Sequence, residues 1–337
     1  MKYRVSIIIP VFNCEKHLKR AIESVVSGKG FSQDELILVD DGSTDGSGSI
    51  CDSFCNSYPN IKTIHQNNSG VSAARNSGMI AAEGEWIFFL DSDDYIFENA
   101  INDLLQYSDA DLVSGRFTSN CYSALMKPPF MEGVYSIDSV KQILNDTLIK
   151  EKSFFNCWGR LYRKKLIDDN GLTFPVDIRI AEDMVFVYSY LKLCNTIAFT
   201  DRQVYFYYVN EDNTTSVIPE SFDVDYYVFK WHCSFFKENQ LYLKELKAVF
   251  ASRAFDSIKT AAYYLSFSKA LPYVKRILDN SDFNICYKNS DIVCFTKTDK
   301  AIDKFIRKHN PYMVCLIIIF SKFKTIFYNM IFGDKND

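Results

Sequence analysis

Four short runs rich in branched and aromatic apolar residues, VSIII at 5–9, ELILV at 35–39, IKTIH at 61–65 and WIFFL at 86–90, alternate with helical spacing over the first hundred residues. Leu18, Ala21, Ile22, Val25 and Val26 give that spacing after the first run, and residues 71–82 give it before the fourth. Strands alternating with helices in this way imply a mainly parallel sheet with right-handed crossovers and both faces covered. Ligands of such sheets bind beyond the carboxyl ends of the strands. Three polar turns should therefore meet at one edge: residues 10–13 (PVFN), 40–43 (DDGS) and 91–94 (DSDD).

The last of these turns poses an electrostatic problem. Asp91, Asp93 and Asp94 follow a buried run directly, and like charges a few ångströms apart repel by about 1 kcal/mol even in water. A divalent cation resolves it, since Mg²⁺ or Mn²⁺ takes oxygen ligands and commonly sits between one or two carboxylates and substrate phosphates. Asp91 and Asp93 are read as metal ligands and Asp94 as a cap of the helix carrying Ile101, Leu104 and Leu105. In DDGSTDGSGS the EF-hand spacing and its twelfth-position Glu are missing. Asp41 there is read as an acceptor for the N3–H of a uracil, and Asp45 as a cap of the next helix.

Beyond residue 110 the pattern loosens. A strand is expected at 112–114, a helix with Ile137, Val140, Ile143, Leu144 and Leu148 on its apolar face, a helix from about Glu182, and two strands at 196–199 and 204–209. Residues 221–310 read as helices with Tyr and Phe at core spacing. The 38 basic and 42 acidic residues, net −4, are spread along the chain, which argues against a nucleic-acid partner. Ten cysteines without a CxxC pair read as small core residues of a reducing compartment. The first apolar run is too short for a secretory signal, so a buried strand and a cytoplasmic location are expected. In the last segment the apolar run 313–320 is far shorter than the roughly 20 residues that span a bilayer. Two readings stand for residues 311–332: an amphipathic helix in peripheral contact with a membrane, at the inner face of the cell membrane, or a helix docked on the body.

The ordered set VSIIIPVFN, LVDDGSTDGS, GVSAARNSG, AAEGEWIFFLDSDD and AEDMVF resembles the family 2 glycosyltransferases, inverting enzymes of the GT-A fold. The resemblance is closest over residues 4–98, continues more loosely to about 216 and is absent from the helical C-terminal third. It implies an α/β fold, Rossmann-like and mostly parallel, with a helical C-terminal extension. Residues 1–110 would form the nucleotide-sugar half, 111–218 the acceptor half, 219–310 a helical region and 311–337 an amphipathic tail.

Carried over by position, the resemblance places Pro10, Phe12, Asn13, Asp41, Arg75, Asp91 and Ser92 at a nucleotide-diphosphate sugar donor. It makes Asp93, with Asp91, the ligand of Mn²⁺ or Mg²⁺, Asp183 the general base, and Trp158 and Glu182 acceptor contacts. The chain departs from the family at Ala181, where Gly is common, and at Val209, where relatives often carry a basic residue; Arg179 and Arg202 are candidate replacements. The implied reaction is metal-assisted direct displacement. It carries a sugar, expected to be UDP-linked, to a saccharide or lipid-linked saccharide of surface polysaccharide synthesis. The alternatives are a sugar-nucleotide nucleotidyltransferase, against which the absence of Gly in PVFNCEKHLKR speaks, and a non-catalytic nucleotide-sugar-binding protein, which would not need a base.

Overall fold

A computed structural model describes residues 2–119, 131–140, 156–177, 182–209, 222–235, 240–290 and 296–332. The chain divides into two compact units, Met1–Asn213 and Thr214–Asp337. In the first, β1 (Tyr3–Val11), α1 (Glu15–Val26), β2 (Glu35–Asp40), α2 (Ser47–Ser57), β3 (Ile61–His65), α3 (Val71–Ala81) and β4 (Gly84–Phe89) follow the predicted alternation. They pair in parallel in the order β3-β2-β1-β4. Then come β5 (Tyr95–Ile96), α4 (Ala100–Leu105), β6 (Leu112–Ser119), β7 (Gly133–Ser136), β8 (Arg160–Arg163), α5 (Lys164–Asn170), α6 (Glu182–Leu191) and β9 (Thr196–Tyr207). Strand β8 joins β4 antiparallel and continues the sheet as β8-β6-β9-β5, with β7 also on β9. This mixed sheet with flanking helices is the GT-A architecture.

Central strands buried on both faces need apolar side chains at every position. Ile7, Ile9, Leu36, Leu38, Trp86 and Phe88 face one layer, where Leu18, Ala21, Ile22 and Val25 of α1 and Ala100 and Leu104 of α4 complete the core. On the other face the Phe89 ring meets Phe174 at 5.1 Å, Phe186 at 5.6 Å and Tyr162 at 5.7 Å. Helix α3 lies hard against β1 there: a Cβ at Gly78 would stand 2.4 Å from Ile8 Cγ2. One turn before Gly78, Arg75 is thereby drawn inward to 3% exposure. Helix α6 buries Met184, Val185, Phe186, Val187, Tyr188 and Tyr190, and its charged side chains, Glu182 and Asp183, stand in its first turn.

Two expectations change. The strands foreseen at 196–199 and 204–209 are one strand, β9, whose polar interruption Asp201-Arg202-Gln203 is exposed while pairing with β6 continues through shifts in register around Arg116. Of the helix expected around Val140, residues 143, 144 and 148 lie outside the described residues, as do Arg179 and Ala181.

The second unit comprises α7 (Phe222–Phe235), α8 (Gln240–Tyr264), α9 (Phe267–Asp279), α10 (Ser281–Lys288), α11 (Lys297–Arg307) and α12 (Pro311–Phe332). Its core is aromatic, with Phe229 stacked on Phe250 at 4.3 Å. Thr296 and Asp299 form a reciprocal capping box at the start of α11. The first half of α12 buries Val314, Cys315 and Ile318 and leaves Tyr312 and Phe320 exposed, and Lys322 Nζ donates to the Tyr263 carbonyl at 2.8 Å. No helix among the described residues is long and apolar enough to cross a membrane.

Candidate active site

The turns that follow β1, β2 and β4 meet at the carboxyl edge of the sheet. Asn13, held at φ 47°, donates its N–H to Ser43 Oγ at 3.1 Å and accepts from Thr44 N at 2.8 Å, so the first turn grips the second. The Cys14 thiol donates to the Ser92 carbonyl at 3.3 Å and ties the first turn to the third. Asp45 accepts from Ser47 N at the start of α2 and also from Glu15 N at the start of α1, fastening both helices. Pro10 is buried in β1, whereas the Phe12 ring, 48% exposed, stands open at the rim.

Asp41 is buried, and its carboxylate accepts from Gln66 Nε2 at 2.7 Å, Ser69 N at 2.9 Å and Gly70 N at 2.8 Å. Three donors leave a carboxylate one further acceptor position. The second turn is drawn onto the loop before α3 so closely that a Cβ at Gly42 would meet Asn68 N at 2.8 Å, and Gly42 sits at φ +74°. These loop residues were not foreseen from the sequence; their only trace there is the run of Asn, Ser and Gly at 67–70.

The centre of the site is Arg75. Its Nη2 donates to Asp91 Oδ1 at 2.9 Å, and its Nη1 donates to Asp183 Oδ1 at 2.5 Å and Glu182 Oε1 at 3.3 Å. Asn76 fixes the approach by bonding the Phe174 backbone in both directions, at 2.8 and 2.9 Å. The Phe174 ring lies 5.2 Å from the guanidinium carbon of Arg75. One cation thus joins the turn after β4 to the first turn of α6, bringing Asp91 and Asp183 together across about ninety residues of chain. Asp183 Oδ2 also accepts from Cys157 N at 3.3 Å.

Three acids around one guanidinium leave an excess of negative charge. Burial pushes the Glu182 carboxyl up to about 7, with Asp183 adding to the rise and Arg75 opposing it. Burial likewise raises Asp91 against the pull of Arg75. It raises Asp93 too, while His17 and Arg20 of α1 work in the other direction. Among the described residues the Asp93 carboxylate oxygens make no hydrogen bond or ion pair to another residue; only its carbonyl is engaged, by Arg20 Nη2 at 2.6 Å.

Two expected roles change. Asp94 does not cap α4: it is fully buried, with Oδ2 accepting from the Tyr205 hydroxyl at 2.6 Å and Oδ1 from Tyr208 N at 2.7 Å. Burial and the neighbouring Asp91 charge push its carboxyl up to about 8. Trp158, placed by the resemblance at the acceptor with a core tryptophan as the alternative reading, belongs to the core. It is stacked on Tyr205 at 4.3 Å and Tyr207 at 5.7 Å and set edge-on to Phe117. Arg202 lies exposed on β9.

Comparison with known proteins bears on the family and the fold. Residues 6–171 match the family described as Glycosyl transferase family 2. A poly(ribitol-phosphate) beta-glucosyltransferase of Bacillus spizizenii is 31% identical over 270 residues, 76% of this chain and 41% of that protein. The chain spans less than two thirds of that relative's length, and of the lengths of the glycosyltransferases EpsJ of Bacillus subtilis and GlyA of Streptococcus pneumoniae. The crystal structure of residues 1–349 of S. aureus TarS with UDP-GlcNAc superposes with a TM-score of 0.68 at 20% identity, covering 95% of this chain and 92% of that one. A mannosyltransferase of Pyrobaculum calidifontis, solved with GDP-Man and Mn²⁺, gives 0.53 at 15% identity, covering 96% and 88%.

Proposed function

The chain belongs to glycosyl transferase family 2 through residues 6–171, and on that premise we propose that it moves a sugar from a UDP-linked donor to a saccharide acceptor, with inversion. The observation that carries this reading is the Arg75 junction, which sets the donor-side carboxylate Asp91 and the acceptor-side carboxylate Asp183 on one guanidinium. A binding protein needs the first of these groups; only a reaction needs both.

In this reading Asp41 offers its remaining acceptor position to the uracil N3–H, and the open Phe12 ring gives the nucleoside an apolar wall. Among the described residues no group of three or more His, Cys, Asp or Glu side chains is placed to hold a metal ion. The donor set nevertheless fits a hard divalent ion that shares its sphere with a diphosphate: two carboxylates on one turn, Asp91 with one oxygen on Arg75, and Asp93 with neither oxygen bonded to another residue among those described. Asp93 and Asp91 would hold Mn²⁺ or Mg²⁺, which when bound supplies charge neutralisation for a leaving diphosphate. Asp183 takes the proton from the acceptor hydroxyl as that oxygen attacks the anomeric carbon, and the Cys157 amide together with Arg75 keeps the carboxylate aimed. Glu182, on the same turn of α6, borders the acceptor.

The relatives named for transfer of a sugar to poly(ribitol-phosphate) support a polymer of that kind as acceptor. The exposed Tyr312, Leu316 and Phe320 support a peripheral membrane contact by α12 alongside its docked face. Flotation on anionic vesicles with and without residues 311–337 tests that contact; equal flotation removes it. For the reaction itself, a panel of UDP-sugars is assayed for UDP release with Mn²⁺ or EDTA. Metal-dependent release from one of them is expected, and no release or binding of any UDP-sugar would overturn the proposal.

A further inference from the structure

The turn that carries Asp91 and Asp93 has to stand still if it is to hold a cation, yet its two outward carboxylates repel each other. What restrains it lies underneath. The Tyr205 hydroxyl accepts from the Asp91 backbone N–H at 3.2 Å and donates to Asp94 Oδ2 at 2.6 Å, so one oxygen bridges the first and last residues of the turn. The other Asp94 oxygen is held by Tyr208 N, three residues along from Tyr205. Immediately after the turn, β5 pairs with the same stretch of β9, Ile96 opposite Tyr205. From the side of α1, the Arg20 guanidinium lies over the rings of Tyr208 at 4.2 Å and Tyr95 at 5.2 Å while Nη2 binds the Asp93 carbonyl.

We propose that Tyr205 is a positioning residue for the donor site: its hydroxyl, with Arg20 opposite, fixes the backbone of residues 91–94 in the shape that presents Asp91 and Asp93 together. The inference rests on the function proposed above but adds a residue that touches neither donor nor acceptor. The hydroxyl and the ring have separable tasks. The ring is stacked on Trp158 at 4.3 Å with an interplanar angle of 11° and holds the core; the hydroxyl alone reaches the turn.

Tyr205→Phe keeps the ring and removes the bridge. It is expected to weaken Mn²⁺-dependent UDP binding about tenfold, equal to about 1.4 kcal/mol and within the range for one buried hydrogen bond. The Mn²⁺ concentration at half-saturation should rise with it. Phe117→Leu, which loosens the same aromatic stack without reaching the turn, is the comparison: a lower unfolding temperature with an unchanged Mn²⁺ midpoint. If Tyr205→Phe does not fold, Arg20→Lys probes the same restraint from α1, retaining charge but losing the planar contact with two rings and a carbonyl. It should move the Mn²⁺ midpoint in the same direction. UDP affinity and Mn²⁺ midpoint within twofold of wild type in the folded variant would reduce the Tyr205 hydroxyl to an ordinary core hydrogen bond and overturn the proposal. Wild-type protein that binds no UDP would overturn the function itself, a result visible without any variant.

Discussion

At the amino ends of β1 and β2, Glu35 is fully buried, yet its oxygens are shared among Ser6 Oγ at 2.6 Å, Glu83 N at 2.6 Å and Lys62 Nζ at 3.0 Å. Beside it the Asp34 carboxylate takes a two-pronged bond from Arg4, at 3.0 and 2.8 Å. At the carboxyl edge of the same sheet the proportions reverse: among the described residues one cation, Arg75, is shared by Asp91, Glu182 and Asp183, with a single backbone donor, Cys157 N, added at Asp183. The amino end matches each acid with donors and is closed. The carboxyl end leaves acids in excess, and buried charge without a partner costs several kcal/mol. A positive ligand or a proton would complete such an arrangement, and the function proposed above supplies both at this edge of the sheet.

The largest contrast lies in chemistry. Asp183→Asn keeps the size of the side chain and one of its two acceptor atoms, enough for either Arg75 or Cys157 N, but removes the proposed general base. Turnover should fall by about 10²- to 10⁴-fold while UDP binding stays within a few-fold. Single-turnover transfer to a saccharide acceptor reads the first and calorimetry with UDP and Mn²⁺ the second. An active Asn variant would remove the base assignment.

Next comes stability. Arg75→Met strips three half-buried acids of their shared cation, whereas Lys62→Met takes the cation from one buried acid, Glu35, and leaves its hydroxyl and amide donors. Losing one partner of a buried pair costs about 3–5 kcal/mol; at Lys62 that loss falls on one carboxylate that keeps two hydrogen bonds, and at Arg75 it falls on three carboxylates at once. Thermal unfolding at neutral pH should therefore show Arg75→Met well below Lys62→Met. Equal losses would mean that both ends are structural in the same sense.

Much of this contrast could be anticipated from the chain, and the part that could not has physical causes. Buried parallel strands read as continuous apolar runs, so β1, β2 and β4 and the turns behind them were legible. Asp91, Asp93 and Asp183 were singled out, but nothing local says that Arg75 would sit among them; that follows from α3 lying against β1 at Gly78 and from Asn76 seizing the Phe174 backbone. Asp94 misled because a carboxylate after a strand and before a helix has the signature of a cap, while its true partners, Tyr205 and Tyr208, are more than a hundred residues away. The polar triplet 201–203 split β9 on paper, although backbone pairing tolerates an exposed bulge. Trp158 was read from its place in a motif, and packing against Tyr205 and Tyr207 decided otherwise.

A subtler test of the excess charge uses pH. Glu182 is held at about 7 in the folded protein, above the ordinary glutamate value of 4.5, chiefly because it is buried. Between those two values the folded chain keeps a proton that the unfolded chain has released, so the linkage runs opposite to that of a salt-bridged acid. Its contribution to stability is complete below about pH 4.5 and is lost as pH rises through about 7. Asp91 and Asp94, both raised, push the same way. Glu182→Gln carries no proton to lose; relative to it, wild type should lose on the order of 1–3 kcal/mol between pH 5 and pH 8, read from urea midpoints across that range. Mn²⁺ with UDP should shrink the loss, because a cation at Asp91 and Asp93 relieves the repulsion that favours protonation. A wild-type profile parallel to that of the Gln variant would place Glu182 among the ordinary ionised acids and erase the distinction between the two ends of the sheet.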